Sequence, residues 1–546
     1  MRSSHRLLSA TLTVALLFLP TLVRADDDKP APPEKAAEKT PEKAPLTEVT
    51  TQGTVDVGGQ HIAYTAIAGT LTVGSTDEQD AQLGTDGKPQ PGSQLALTEP
   101  KEPKDATPFA RIFYVAYFKK DAKAEDRPVT FLYNGGPGSS TVWLHMGSLG
   151  PKHVETSGDQ HLPAAPYKLI DNPYSLLDTS DLVFIDMPGT GFGRLIGKDA
   201  EKAFWGVDED ANAYARFIVR FISKYNRWNS PKFIFGESYG TTRSAVLANI
   251  LEKHTSIDLN GVILLSQIFN FTTDIDAPRS NPGVDLPYVM ALPTYAATAW
   301  YHKKLPQQPV ALEPFLKDVE TFAMGPYTHA LALGTDLGAD EKQQVAEKLH
   351  EYTGLPVAYL LKGNLRINGG EFEKNLQDDQ DLTTGRLDTR FSGPTLNPLS
   401  EGAEYDPQSS AISSAYVSLF NDYVRRDLKY GEGQTYLPVM FSAGAHWDVM
   451  RHGFPLGLNV ANDLAEALKT NPRLRIMVNG GYYDLATPFF AALYEDKHLP
   501  IPQSLAKNIE YDWYESGHIV YVDDNSLKQL HDRTAAFIKS TLADSK

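Results

Sequence analysis

Two rhythms of apolar positions alternate along this chain, and their spacing predicts its elements. Strand-like runs occupy Gln60 to Ala66 and Arg111 to Phe118, separated by a Gly-, Pro- and Asp-rich stretch that reads as a long loop. They predict an antiparallel entry to a sheet. Short continuous apolar runs follow at Val129 to Tyr133, Leu182 to Ile185, Lys232 to Phe235 and Gly261 to Leu265. Strands buried on both faces and spaced widely enough for helical crossovers predict a largely parallel sheet. One crossover is Ala211 to Tyr225, where Tyr214, Phe217, Ile218, Phe221 and Ile222 recur at a helical period. Between about Asn270 and Leu437 this rhythm disappears into sequence rich in Pro, Tyr, Asp and Gln, with some amphipathic helical stretches. That break predicts an insertion lying over the sheet as a lid. Strand signals resume at Leu474 to Val478 and Ile509 to Tyr514, and an amphipathic helix closes the chain over Ser526 to Leu542. No internal repeat recurs at a fixed period.

At 546 residues the chain exceeds what one hydrophobic core usually organises, which suits a single domain carrying a large insertion. The predicted organisation is a catalytic domain over 49–270 and 438–546 and a lid over 271–437. Ahead of these lie residues 26–48, a spacer of Asp, Lys, Pro, Ala and Glu too poor in apolar groups to fold. Residues 1–25 have the basic start, apolar run (Leu7 to Val23) and small residue (Ala25) of a secretory signal, and Pro20 interrupts the run. The alternative is an uncleaved anchor, since the run approaches membrane-spanning length. Cleavage predicts a periplasmic or secreted protein, and no later stretch is long and apolar enough to span a bilayer. A hydrophobic share of 41% with 22% charged residues is ordinary for a globular protein. The net charge of −17, with no basic stripe, argues against a nucleic-acid partner. Without cysteine the chain has no disulfide, thiolate metal site or cysteine nucleophile.

The candidate chemistry begins where the Lys232–Phe235 strand runs into Gly236-Glu237-Ser238-Tyr239-Gly240 and then a helix-forming stretch. Gly-x-Ser-x-Gly at a strand-to-helix turn is a nucleophile elbow, in which the glycines allow a turn tight enough to lift Ser238 Oγ above the sheet. A serine nucleophile needs a base, and the base needs an orienting carboxylate. Asp484 follows one late strand and His518 the next, in the order Ser, Asp, His. Each stands beyond the carboxyl end of its strand, where catalytic groups of open α/β sheets gather. An oxyanion hole takes one amide from the residue after the nucleophile, Tyr239, and one from an earlier loop. The Gly-rich loop Asn134-Gly-Gly-Pro-Gly-Ser-Ser140 offers Gly136. A phosphate cradle is the other reading of that loop, but no Gly-Lys-Ser/Thr follows it. Neither a metal nor an organic cofactor is needed.

With those residues in hand, the chain resembles the serine carboxypeptidases, peptidase S10. Asn134 to Ser140, Asn172-Pro-Tyr-Ser175, Asp186-Met-Pro-Gly-Thr-Gly-Phe192, Gly236-Glu-Ser-Tyr239, Asn479-Gly to Asp484 and Gly517-His518 occur in family order. The resemblance implies an α/β-hydrolase fold, with a mostly parallel central sheet, helices on both faces and a helical lid insertion. It also implies Ser238, Asp484 and His518 as the triad, and the Gly136 and Tyr239 amides as the oxyanion hole. The implied activity is release of C-terminal residues from peptides, with Asn134 and Glu237 binding the substrate carboxylate. Two family positions differ: Leu132 stands where the family has Trp, and Ser148 where it has a second Glu that forms a like-charge pair with the first. Ser139 replaces the usual Cys. Arg243 or Arg194 is a compensating carboxylate ligand, unless each is paired with a neighbouring acid. An esterase or acyltransferase using the same triad remains an alternative, as does a non-catalytic binding protein.

Overall fold

The nine strands that form the sheet's main path show why a chain with this rhythm closes around one platform. The computed structural model describes residues 48–95, 97, 107–451 and 457–543, so the predicted signal and nearly all of the spacer lie outside the described residues. Leu46–Lys546 form one compact unit. The strands are β1 (Glu48–Val57), β2 (Gln60–Gly74), β3 (Phe109–Lys119), β4 (Val129–Tyr133), β5 (Asp181–Ile185), β6 (Lys232–Glu237), β7 (Gly261–Leu265), β8 (Arg475–Gly481) and β9 (Ile509–Tyr514). Their spatial order is β1-β2-β3-β5-β4-β6-β7-β8-β9, and a tenth short strand, Arg194–Ile196, pairs with β3. The first three are antiparallel, and β3 meets β5 antiparallel. From β5 to β9 every neighbour is parallel.

β1 was not among the predicted strands. Its sequence, Glu48 to Val57, is mostly Thr, Gln, Gly and Asp, and only Val55 and Val57 are buried. An edge strand needs little apolar content, because its ladder to β2 supplies the pairing. β2 also runs past the expected end at Ala66 to Gly74, continuing the ladder with β3.

Helices cover both faces of the sheet. On one face Val207–Lys224 and Tyr239–His254 bury Tyr214, Phe217, Phe221, Leu247 and Leu251 in a cluster with Phe131, Ile234 and Val262. Fully burying each such side chain contributes roughly 1.5–3 kcal/mol. On the other face Val142–Gly147, Pro407–Arg426 and Asp524–Ala543 pack against Leu132, Phe235 and Met477. Residues 271–437 are largely helical, with Leu286–Tyr301, Leu312–Phe322 and Ala339–Thr353 the longest helices before Pro407–Arg426. The first three build a third apolar cluster, and Tyr482, Tyr483, Leu485, Phe489 and Phe490 from beyond β8 join it. Among the described residues no helix is long and apolar enough to cross a membrane.

Because β4, β6, β7, β8 and β9 are parallel, their carboxyl ends fall on one edge of the sheet. The segments that follow β4, β6, β8 and β9 contain Asn134 to Ser140, Ser238, Asp484 and His518 respectively.

Candidate active site

Ser238 follows directly on β6 and precedes the helix Tyr239–His254. Its backbone has φ +60° and ψ −131°, a conformation that strains a residue with a side chain by roughly 1–3 kcal/mol. The surroundings hold it there. Ser238 N–H donates to the Leu265 carbonyl at 2.9 Å, and the Ser238 carbonyl accepts from Thr241 N–H and Oγ1, both at 2.8 Å.

Asp484 and His518 meet across the loops beyond β8 and β9. His518 Nδ1 donates to Asp484 Oδ2 at 2.8 Å, and both side chains are buried. Thr487 fixes the carboxylate: its N–H donates to Asp484 Oδ1 at 2.9 Å and its Oγ1 to Oδ2 at 2.6 Å. The His518 carbonyl accepts from Ser266 Oγ at 2.7 Å. Burial works against the imidazolium, but Asp484 beside it prevails and holds the His518 pKa above its ordinary value.

The Gly-rich loop lies against the elbow. A Cβ on Gly135 would stand 2.4 Å from the Tyr239 amide nitrogen, so only glycine lets the loop approach this closely. Gly136 N–H has no acceptor among the described residues. Asn134 is held in place: its Oδ1 accepts from Leu144 N–H at 3.0 Å, its backbone N–H donates to Thr141 Oγ1 at 3.3 Å, and its carbonyl accepts from Arg243 Nη1 at 2.8 Å.

Glu237 is 2% exposed, with the imidazole of His518 and the carboxylate of Asp484 as charged neighbours. Burial pushes its carboxyl up to about 7, against the lowering influence of His518 and of hydrogen bonds from Tyr521 and Asn134. Tyr521 Oη donates to Glu237 Oε2 at 2.8 Å. Tyr416 is also electrostatically close to this carboxyl, and its hydroxyl is buried without a partner among the described residues. Neither tyrosine was singled out from the sequence, although Tyr521 lies only a few residues past His518. Thr487 was missed too, since a Thr after an Asp carries no signal of its own.

The divergent positions are accounted for locally. Leu132 is buried in the sheet core, while Ser148 Oγ donates to the Leu144 carbonyl at 2.5 Å. Ser139 Oγ accepts from Trp143 Nε1 at 3.0 Å. Arg243 is fully buried, donates to Asp210 Oδ2 at 2.6 Å and lies over the Tyr214 ring at 4.3 Å, so it is the structural ion pair and not a substrate ligand. Arg194 donates to the carbonyls of Gly191, Gly193 and Thr435 at 3.0, 2.6 and 2.8 Å, with no acid partner among the described residues.

A parallel sheet entered by an antiparallel hairpin, with a strained serine, a buried His–Asp pair and a Gly-rich loop at one edge, defines an α/β-hydrolase. Residues 105–291 match the model of the serine carboxypeptidase family, peptidase S10. Serine carboxypeptidase-like 36 of Arabidopsis thaliana is 26% identical over 166 residues, covering 29% of this chain and 32% of the plant protein. The pheromone-processing carboxypeptidase KEX1 of Saccharomyces cerevisiae is 29% identical over 150 residues, covering 26% of this chain and 19% of the yeast protein. The chain thus matches about a third or less of the length of these curated relatives. Among solved structures, the proline iminopeptidase of Mycobacterium smegmatis aligns over 80% of this chain and 97% of its own, at 12% identity and a TM-score of 0.34.

Proposed function

We propose that this protein is a serine carboxypeptidase that removes C-terminal residues from peptides through an acyl-enzyme. The observation that carries the reading is the pairing of two features around the elbow. A buried His518–Asp484 bond serves acyl transfer, and a buried carboxyl on Glu237, the residue beside the nucleophile, serves recognition of a terminal carboxylate. In the mechanism His518 Nε2 takes the proton of Ser238 Oγ as the oxygen attacks the scissile carbonyl, while Asp484 holds the tautomer and stabilises the imidazolium. The tetrahedral oxyanion rests on the Gly136 and Tyr239 amides, a donor of this kind contributing about 2.7–4 kcal/mol. His518 then protonates the leaving amine, and water, activated by the same imidazole, resolves the acyl-enzyme.

Protonated Glu237 donates to the substrate carboxylate, and Asn134 adds its side-chain amide. Tyr521 holds the other oxygen of Glu237, so one acid serves without the like-charge partner that Ser148 removes. The helices over 271–437 act as the lid over this edge, and the N-terminal segment directs export to the periplasm or beyond.

The test compares a blocked dipeptide having a free C-terminus with its amidated counterpart and with an ester, for the wild type and Ser238→Ala. Cleavage of the free acid alone, lost in Ser238→Ala, supports the carboxypeptidase. Equal cleavage of the amide leaves the triad but removes the carboxypeptidase assignment, and turnover of esters only gives the esterase or acyltransferase reading, which the apolar Leu132 and the engaged hydroxyl of Ser148 favour.

A further inference from the structure

The paired loops beyond β8 and β9 are bridged by a third segment that contributes nothing to the reacting atoms. Between the short strands Leu382–Thr384 and Ser392–Pro394, residues 385–391 reach both loops. Toward the loop carrying Asp484, Thr389 N–H donates to the Tyr483 carbonyl at 2.9 Å, and the Arg386 carbonyl accepts from Leu485 N–H at 3.1 Å. Thr389 Oγ1 adds a second bond to the Tyr483 carbonyl at 3.2 Å. Toward the loop carrying His518, the Leu387 carbonyl accepts from His518 N–H at 2.6 Å, and Asp388 Oδ2 accepts from Gly517 N–H at 3.1 Å. These contacts flank Asp484 on both sides and include His518 itself.

Asp388 and Arg390 fix the segment on the second loop. Asp388 is fully buried and takes Arg390 Nη2 at 2.6 Å; Arg390 also donates to the Glu515 carbonyl and to Ser516 Oγ, each at 3.0 Å. The approach is close enough that a Cβ on Gly517 would stand 2.4 Å from Asp388 Cβ. The segment is itself anchored. Leu387 N–H donates to Asp406 Oδ2 at 2.9 Å, and Arg386 binds Asp276 through two nitrogens, which ties the segment to the start of the 271–437 stretch.

The parallel ladder between β8 and β9 ends at Gly481 and Tyr514, so it does not define where Asp484 and His518 stand. Direct links past that point are few: Tyr482 N–H to the Tyr514 carbonyl at 2.9 Å, Tyr483 N–H to the Ser516 carbonyl at 3.0 Å, the His–Asp bond, and Thr487 Oγ1 with His518 Nδ1 at 3.2 Å. We infer that residues 385–391 act as a strap setting the separation of the two loops, with Asp388 a positioning residue for His518. The inference rests on the triad reading above and extends it, because it makes the helical segment 271–437 part of the catalytic geometry as well as a cover.

The experiment titrates active sites with a serine-directed phosphonate and measures kcat, KM and the pH profile per labelled site on an ester substrate, which needs no terminal carboxylate. Asp388→Asn keeps the shape but removes the charge facing Arg390. It is expected to label stoichiometrically, with KM within about twofold of the wild type and kcat lower by ~10- to 100-fold, the scale of a small misplacement of a catalytic group. The acid limb of kcat should move to lower pH. His518 is faced by Asp484, Glu237 and Arg386, and loosening it from Asp484 removes the influence that raises its proton affinity. Arg390→Lys keeps a charge for Asp388 but loses the fork to Glu515 and Ser516, and carries the same test if Asp388→Asn does not fold. Folded, labelled variants with wild-type kcat and acid limb overturn the strap alone. A wild type that takes no label, or activity surviving in Ser238→Ala, overturns the triad reading and the strap with it.

Discussion

In the proposed reading, Glu237 carries both recognition and a pH response in one buried side chain. Its carboxyl, pushed up to about 7 by burial, is a hydrogen-bond donor below that pH and a repelling anion above it. For substrates with a free C-terminus KM should therefore rise as pH passes about 7, while KM for amidated peptides stays level. Glu237→Gln should remove the rise, because a neutral amide donates at every pH; steady-state kinetics from about pH 6 to 8 decide it. Tyr521→Phe tests the hydroxyl that fixes the carboxyl. Losing a hydrogen bond to a charged group costs about 1.5–3 kcal/mol, and here the loss falls on the ionised form. The KM rise should then begin at higher pH. Thr487 offers a complementary case on the catalytic side. Thr487→Val leaves its N–H on Asp484 and deletes the Oγ1 contacts with Asp484 Oδ2 and His518 Nδ1, so kcat should fall ~10-fold with KM unchanged. Of these residues, Glu237 was reached only through the family resemblance carried by Gly236-Glu-Ser-Tyr239. Tyr521 and Thr487 were not, since their roles arise from where loops fold back in space.

Elements succeed or fail by what they pack against, and the helix pair Val207–Lys224 and Tyr239–His254 illustrates it. Asp210 and Arg243 join these helices in a fully buried ion pair, and Arg243 also reaches the carbonyl of Asn134. Removing one partner leaves an uncompensated buried charge, so Arg243→Met should destabilise the protein by roughly 3–5 kcal/mol in urea unfolding, and adding Asp210→Leu should recover most of that loss. The same scale explains what the apolar pattern revealed. Strands Val129–Tyr133 and Gly261–Leu265 are wholly buried, so their runs mark them closely. β1 escaped because most of its side chains face solvent and its order comes from pairing with β2. Residues 385–391 escaped for a related reason: three of their bonds to the two loops join backbone groups, which leave no trace in composition, and the side-chain bonds of Asp388, Thr389 and Arg390 reach residues far away in sequence.

For the molecule as a whole, buried acids set the pH response of stability. Asp186, Glu237 and Glu495 are pushed to about 7, Glu373 to about 8 and Asp210 to about 6, in each case mainly by burial. A folded-state pKa above the unfolded value means that the folded chain holds more protons between the two, so stability falls as pH rises through that interval. The thermal midpoint should decline from about pH 5 to about pH 8, and Glu373→Gln should flatten the upper part of the decline. Calorimetry across that range gives the slope directly.

The sheet order carries one further consequence, for the history of each molecule. β7 pairs with β6 on one side and with β8 on the other, yet roughly 200 residues separate β7 from β8 along the chain. A ribosome that has finished β7 must therefore make the whole helical segment before β8 exists. Throughout that interval β7 is an open edge with unpaired amides and carbonyls, the kind of surface that recruits a neighbouring chain. A fragment ending at Leu437 should accordingly aggregate where the full chain does not, and refolding yield should fall with protein concentration more steeply than for a sheet built from consecutive strands.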